Sequence, residues 1–290
     1  MISQINEYFL FSILASACFG GAMVLTRLGL KEMSPMSGAL VSIPTTTLLF
    51  WCAAPFMVEK MDWPSTALGI FAVVGLFYPV MVTLLNFEGT LRMGPTRAAT
   101  ISSTTPLFAI TGAVLFLRES LTLIIFLGTL GVVAGVMMIS WKNPDTRQTW
   151  SKISILLPLG AAFIRGGAQM LTKMGLKILP DPFLAGLIGY TASVAFLLLV
   201  FQLRFGLGNL APNKKGAAWF MLVGITNGSA VLFLYSALKT ANVITVAPIV
   251  ATFPLFTLVF SLLFFRREII TRRTLAGVAL TVGGVVLISV

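Results

Sequence analysis

The sequence has no histidine, only nine acidic residues and only two cysteines in 290 positions, and charged side chains make up 10% of it. Without histidine the usual zinc sites and imidazole general bases cannot be assembled. Cys18 and Cys52 both fall within apolar runs at no ligand spacing, so neither a disulfide framework nor a metal site is indicated and no cofactor is expected. No paired carboxylates occur inside an apolar stretch, and together with the missing histidine this argues against an enzyme working within a membrane. The 20 Lys and Arg give a formal charge of +11, but they stand singly or in pairs between apolar runs and form no basic face or arm. Nucleic acid is therefore not an expected partner, and nothing points to an obligate protein partner.

What the chain has in quantity is apolar length. At 57% hydrophobic residues and a mean hydropathy of +0.98 it carries more apolar surface than one soluble core can bury, and it belongs in a lipid bilayer. A bilayer core of roughly 30 Å takes about 20 apolar residues per helix. Windows of that size recur at 8–26, 33–58, 63–87, 98–117, 120–141, 153–172 (broken once), 182–203, 216–238, 240–265 and 274–290. Ten transmembrane helices are expected, in a multi-pass protein of the cell membrane. Trp63, Trp141 and Trp150 stand at window edges, where interfacial anchors belong.

The windows are duplicated. Thr104, Pro106-Leu107-Phe108, Leu115-Phe116 and Arg118 recur 148 positions later as Thr252, Pro254-Leu255-Phe256, Leu263-Phe264 and Arg266. With one residue inserted, Glu119, Gly128, Gly135, Ile139 and Ser140 return 149 positions on as Glu268, Gly277, Gly284, Ile288 and Ser289. The first window resembles a signal peptide in position, but Gly20-Gly21-Ala22, Leu25-Thr26 and Gly29-Leu30-Lys31 come back 146 positions later as Gly166-Gly167-Ala168, Leu171-Thr172 and Gly175-Leu176-Lys177. The first window is thus expected to be part of the fold. Five spans per half, an odd number, place the two copies in opposite senses in the membrane, as in many secondary transporters. The expected architecture is all-α: two inverted five-helix repeats, 1–141 and 153–290, around a central cavity, joined by the hydrophilic connector 142–152.

The connectors after spans 1, 3, 5, 7 and 9, with flanking helix ends, hold fourteen of the basic residues, the other face holds five, and Arg165 alone lies well inside a span. By this count both termini lie outside the cytoplasm.

Arg165 is about a dozen residues into the sixth window, with Gln169 one turn further along the same face. Inserting an arginine there costs at least ~2.5 kcal/mol, so it should face a cavity or a partner. It either holds a carboxylate or phosphate of a solute through a bidentate contact or pairs with Glu88 or backbone carbonyls to fix packing. Glu88, beside Asn86 near the end of the third window, is the deepest carboxylate and the candidate for proton coupling. Tyr78, Asn86, Glu88, Ser103, Arg165, Gln169, Asn227 and Tyr235 are the candidate solute-binding residues. Each also has a plain reading as an interhelical hydrogen bond worth under ~1 kcal/mol. Pro44, Pro79, Pro106, Pro158, Pro248 and Pro254 are expected to interrupt helices, and the repeated pair Pro106 and Pro254 is the candidate gating position.

These residues resemble a known family. Phe19-Gly20-Gly21 and Arg165-Gly166-Gly167 are similar to the Trp-Gly-x-x pattern of the EamA branch of the drug/metabolite transporter superfamily. Leu91-Arg92-Met93-Gly94-Pro95, Thr104-Thr105-Pro106-Leu107-Phe108 and Leu117-Arg118-Glu119-Ser120-Leu121-Thr122 resemble its alanine-leucine, proline-leucine and glycine-glutamate-x-leucine-threonine signatures. Tyr235-Ser236-Ala237-Leu238-Lys239, Phe253-Pro254-Leu255-Phe256 and Arg267-Glu268 repeat them in the second half. The resemblance implies ten helices, a central cavity, and export or exchange of small metabolites such as amino acids. It also implies cytoplasmic termini, against the charge count. Phe19 and Arg165 depart from the family's tryptophan, and Arg118 and Arg267 from the glycine before its glutamate. The leading expectation is a secondary transporter for a small organic metabolite working by alternating access. A flippase for a lipid-linked head group and a non-transporting sensor or scaffold are the other readings.

Overall fold

The computed structural model describes residues 2–58, 63–93, 98, 101–140, 152–205, 213–265 and 271–289. In order, the helices are α1 (Ile2–Gly29), α2 (Pro35–Met57), α3 (Ser65–Phe77), α4 (Val80–Met93), α5 (Thr105–Leu117), α6 (Leu123–Ser140), α7 (Leu156–Ile178), α8 (Pro182–Phe205), α9 (Lys214–Thr240), α10 (Val243–Val250), α11 (Phe253–Phe265) and α12 (Arg272–Ser289). Among the described residues eight segments are long and apolar enough to cross a membrane, α3 with α4 and α10 with α11 each counting as one, and the shorter Thr105–Leu117 and Leu123–Ile139 belong to the fourth and fifth spans. Large apolar side chains such as Phe56, Phe116, Leu123, Leu203 and Leu263 point outward. In water such a surface would be a liability, whereas in lipid it is the required one. The protein is an all-helical, multi-pass membrane protein with inverted five-helix repeats around a central cavity.

The third and ninth windows are each two helices. Pro79 has no N–H to donate, so α3 stops at Phe77 and α4 restarts at Val80. In the ninth span Ala251 and Thr252 form a turn between α10 and α11. The fourth span breaks in the same way before α5. Thr104 Oγ1 donates to Ile101 O and Thr252 Oγ1 donates to Ile249 O, both at 2.7 Å, one bond in each repeat. Thr252 additionally pairs with the Ser16 hydroxyl of α1 at 2.9 Å. The prolines behave differently from expectation. Pro106 and Pro254 start the second segments, where a missing N–H breaks no helical bond, so the bend lies at the threonine before each. Pro44, Pro55 and Pro248 remain inside continuous helix. After Pro44, Thr45, Thr46 and Thr47 turn their hydroxyls back onto the carbonyls of Val41, Ser42 and Ile43.

Helix association in lipid depends on close packing more than on burial of grease, so small residues mark the contacts. The contacts come in reciprocal pairs. Gly20 of α1 makes room for the Phe253 carbonyl and Phe256 on α11, and Gly166 of α7 makes the same room for Phe108 and Ala109 on α5. Gly29 sits against the Phe220 ring of α9, and Gly175 against the Phe71 ring of α3. In each case the first helix of one half packs on the third or fourth span of the other, so the halves interlock. The fifth and tenth spans, α6 and α12, form a separate seam in which Gly128 meets the Gly284 carbonyl and Gly135 the Gly277 carbonyl. A side chain at Gly135 would meet the Gly277 carbonyl and the Thr281 backbone and hydroxyl. Gly135→Leu should separate this seam and lower stability by about 1–3 kcal/mol or more, read as a lower midpoint of thermal unfolding in detergent.

Ten crossings return the start of α1 and the end of α12 to one face, here called the terminal face; the opposite face, where α6 ends and α7 begins, is here called the connector face. Lys215 at the start of α9 pairs with Glu32 in the α1–α2 turn at 2.7 Å on the connector face. Asn213 adds its amide, and the Lys215 bond foremost holds the Glu32 carboxyl below the usual carboxylate range.

Candidate functional site

Between the halves lies an open-mouthed cavity of about 800 Å³, counted with its mouth. Its walls are the connector-face ends of four helices. α1 gives Phe19, Met23 and Thr26, α2 gives Ser42 and Thr46, α4 gives Asn86 and Thr90, and α9 gives Gly224 and Asn227. Mid-depth it is bounded by Tyr78, Ser102, Arg165, Tyr190 and Phe253. The break at Pro79 matters here, because it turns Tyr78 inward while α4 continues along the cavity wall.

Among the described residues, Arg165 is the single charged one on this lining. Its Cζ lies 5.8 Å from the Phe19 ring centroid and 5.9 Å from that of Phe253, one ring from each half. Its Nε, buried, has no hydrogen-bond partner among the described residues. Such a group costs about 1–3 kcal/mol when left unmade. Phe19 and Arg165 are equivalent positions of the two repeats, so the two departures from the family's tryptophan meet one another at the centre. Ser102 Oγ donates to Asn86 Oδ1 at 3.0 Å, holding the Asn86 amide nitrogen toward other acceptors. Thr46 Oγ1 donates to Gly224 O at 2.6 Å, closing α2 onto α9.

Of the sequence-derived candidates, Tyr78, Asn86, Arg165 and Asn227 come together on the cavity. Tyr235 is buried behind them, within electrostatic reach of Tyr78 and Tyr190. Gln169 is buried off the lining, with Oε1 unpartnered. Ser103 is buried as well, and its neighbour Ser102 takes the lining position, since adjacent residues of a helix point in different directions. Glu88 departs furthest from expectation. Its carboxylate accepts the Arg92 Nε–H at 2.7 Å one turn along the outside of α4, both side chains partly exposed, so it neither lines the cavity nor reaches Arg165. Glu88→Gln should leave flux and its pH profile unchanged and shift stability by less than about 0.5 kcal/mol, measured by liposome flux and thermal unfolding.

Two functional candidates escaped the sequence reading. Lys173 is buried eight residues after Arg165, and its Nζ donates to Leu238 O at 2.6 Å and Ala241 O at 2.8 Å at the end of α9. Glu119 is buried in the turn after α5 and accepts the N–H groups of Val243 (3.2 Å) and Ile244 (3.0 Å) at the start of α10. A cation on the last carbonyls of one helix and an anion on the first amides of the next match both helix dipoles. This ties the α9–α10 turn on the terminal face, opposite the cavity mouth. Arg118 adopts the left-handed conformation (φ 53°) where the family's glycine would stand, so the turn that presents Glu119 is kept in spite of the substitution. The signal for Lys173 was its i+8 spacing from Arg165, which puts the two on one helix face.

The EamA-like transporter family model matches residues 7–141 and again residues 152–290. The chain belongs to this family. An uncharacterized transporter, YcbK of Bacillus subtilis, is 32% identical over 146 residues, 47% of this chain and 46% of its own, so the matched region spans about half of that relative. An uncharacterized transporter of Helicobacter pylori is 25% identical over 260 residues, covering 86% of this chain and 84% of its own. A solved crystal structure of a protein covers 98% of this chain and 96% of its own with a TM-score of 0.74 at 15% identity, a likeness of fold. Membership places the cavity in a transporter family, and the paired match falls on the two stretches that repeat one another.

Proposed function

We propose that this protein is a secondary transporter of the cell membrane that moves a small organic solute by alternating access, in export or exchange, with Arg165 holding an anionic group of the solute. The observation that carries the reading is the lone Arg165 at mid-depth of a cavity that runs toward one face, its Nε unpartnered, while the opposite face is tied by Lys173 and Glu119. Tyr78, Asn86, Asn227 and Tyr190 supply neutral hydrogen-bonding groups around it, with Tyr235 and Gln169 behind. The two repeats, 1–141 and 153–290, are the bodies that move, and the threonine-marked bends next to Pro106 and Pro254 are where the fourth and ninth spans flex. Interlocked halves with a single central site suit rocking of one against the other.

The test is solute counterflow. Purified protein is screened against small metabolites by thermal shift, and each stabilising compound is loaded into proteoliposomes to drive uptake of its labelled form. Uptake that requires the same compound inside supports exchange. Stabilising compounds that never cross the bilayer would overturn transport.

A further inference from the structure

We propose that the solute is an organic anion with no ammonium group, and that a zwitterionic amino acid is a poor substrate; this rests on reading the cavity as the transport site. Among the described residues the lining holds one charge, that of Arg165, and no Asp or Glu. The two acids of the connector face within the described residues are already engaged, Glu88 by Arg92 and Glu32 by Lys215. An amino acid's carboxylate would find Arg165, but its ammonium would enter a desolvated site beside another cation with no carboxylate to meet it. Aromatic faces can hold an ammonium. Here the faces of Phe19 and Phe253 are taken by the guanidinium itself. The guanidinium's planar fork of N–H donors matches a planar oxyanion bound side-on.

Charge beyond the lining agrees. Counted by the helix ends they adjoin, the described side chains place seven Lys and Arg against two acids on the mouth side, and four against three on the terminal side. Most of the net positive charge among them therefore lies at the mouth face and on Arg165. Membrane-insertion rules account for basic connectors, but not for a basic residue at mid-depth nor for a lining without acids. A positive vestibule leading to a positive site concentrates anions and repels cations.

The experiment compares solutes that differ only at one substituent: lactate against alanine, 3-phenyllactate against phenylalanine, with glycerol 3-phosphate included to distinguish carboxylate from phosphate. Binding is read by thermal shift and transport by proteoliposome flux, on the wild-type chain and on Arg165→Gln with its unfolding midpoint checked. The expected result is a preference of about tenfold or more for the hydroxy acid, or for the phosphate, over the amino acid, lost in Arg165→Gln. Transport of the amino acid equal to or above its hydroxy partner overturns the anion assignment and leaves transport standing. No movement of any solute, with binding intact, overturns the transport reading itself. If Arg165→Gln does not fold, raising ionic strength on the wild type supplies the second measurement: screening the vestibule should slow anion uptake, and an unchanged rate counts against the proposal.

Discussion

Arg165→Ala should reduce solute counterflow in proteoliposomes to the background of empty vesicles while expression and folding persist. Truncating one partner of a desolvated, hydrogen-bonded charge pair costs about 2–5 kcal/mol, which corresponds to a loss of roughly 30-fold or more in affinity. Stability should move the other way or not at all. The guanidinium has no carboxylate partner on the lining and its Nε is unmet, so removing it relieves an uncompensated buried charge. This contrast distinguishes a binding role from a packing role, because a residue that mainly fixed packing would lose stability with transport. Arg165→Lys keeps the charge but not the planar fork, and intermediate flux is expected. Wild-type flux in Arg165→Ala would remove this residue from the site.

Glu119→Ala should produce the second large effect, on the closed terminal face. The carboxylate satisfies the amides of Val243 and Ile244 in a buried position, and bonds to a charged group are worth about 1.5–3 kcal/mol each. Its loss should lower stability by about 1.5–3 kcal/mol per bond and raise deuterium exchange in the peptide spanning 241–246. Lys173→Met, which frees the carbonyls of Leu238 and Ala241, should act on the same turn. Since the two side chains serve one turn, the double variant should cost less than the sum of the singles. Additive effects with unaltered exchange would separate these residues and end their shared role in closing this face.

Much of the architecture was legible because charge interrupts the chain at bilayer intervals and the interruptions repeat. Arg165 was legible for the same reason, as the one charge deep in a span. What escaped was direction. Glu88 looked deep by residue count, yet its phase on α4 carries it outward to Arg92, four residues on. Ser102 and Ser103 differ only in phase, and the sequence alone does not set that phase across a broken span. Lys173 and Glu119 were read as charges at window ends, since burial near an interface depends on which neighbouring turn folds over them. Ser42, Thr46 and Gly224 gave no signal, because small polar residues in spans usually serve helix contacts.

The hydroxyl pair between Ser16 and Thr252 has no twin. Its counterpart by the repeat would join Ala162 to Thr104, and alanine has nothing to offer. Perfect copies would make the two opposed postures of the molecule equal in energy, with the resting choice left to chance. The copies are not perfect, and this bond is one of the differences between them, beside Phe19 opposite Arg165: it ties the ninth span to α1 through a hydroxyl that Ala162 cannot supply to the fourth.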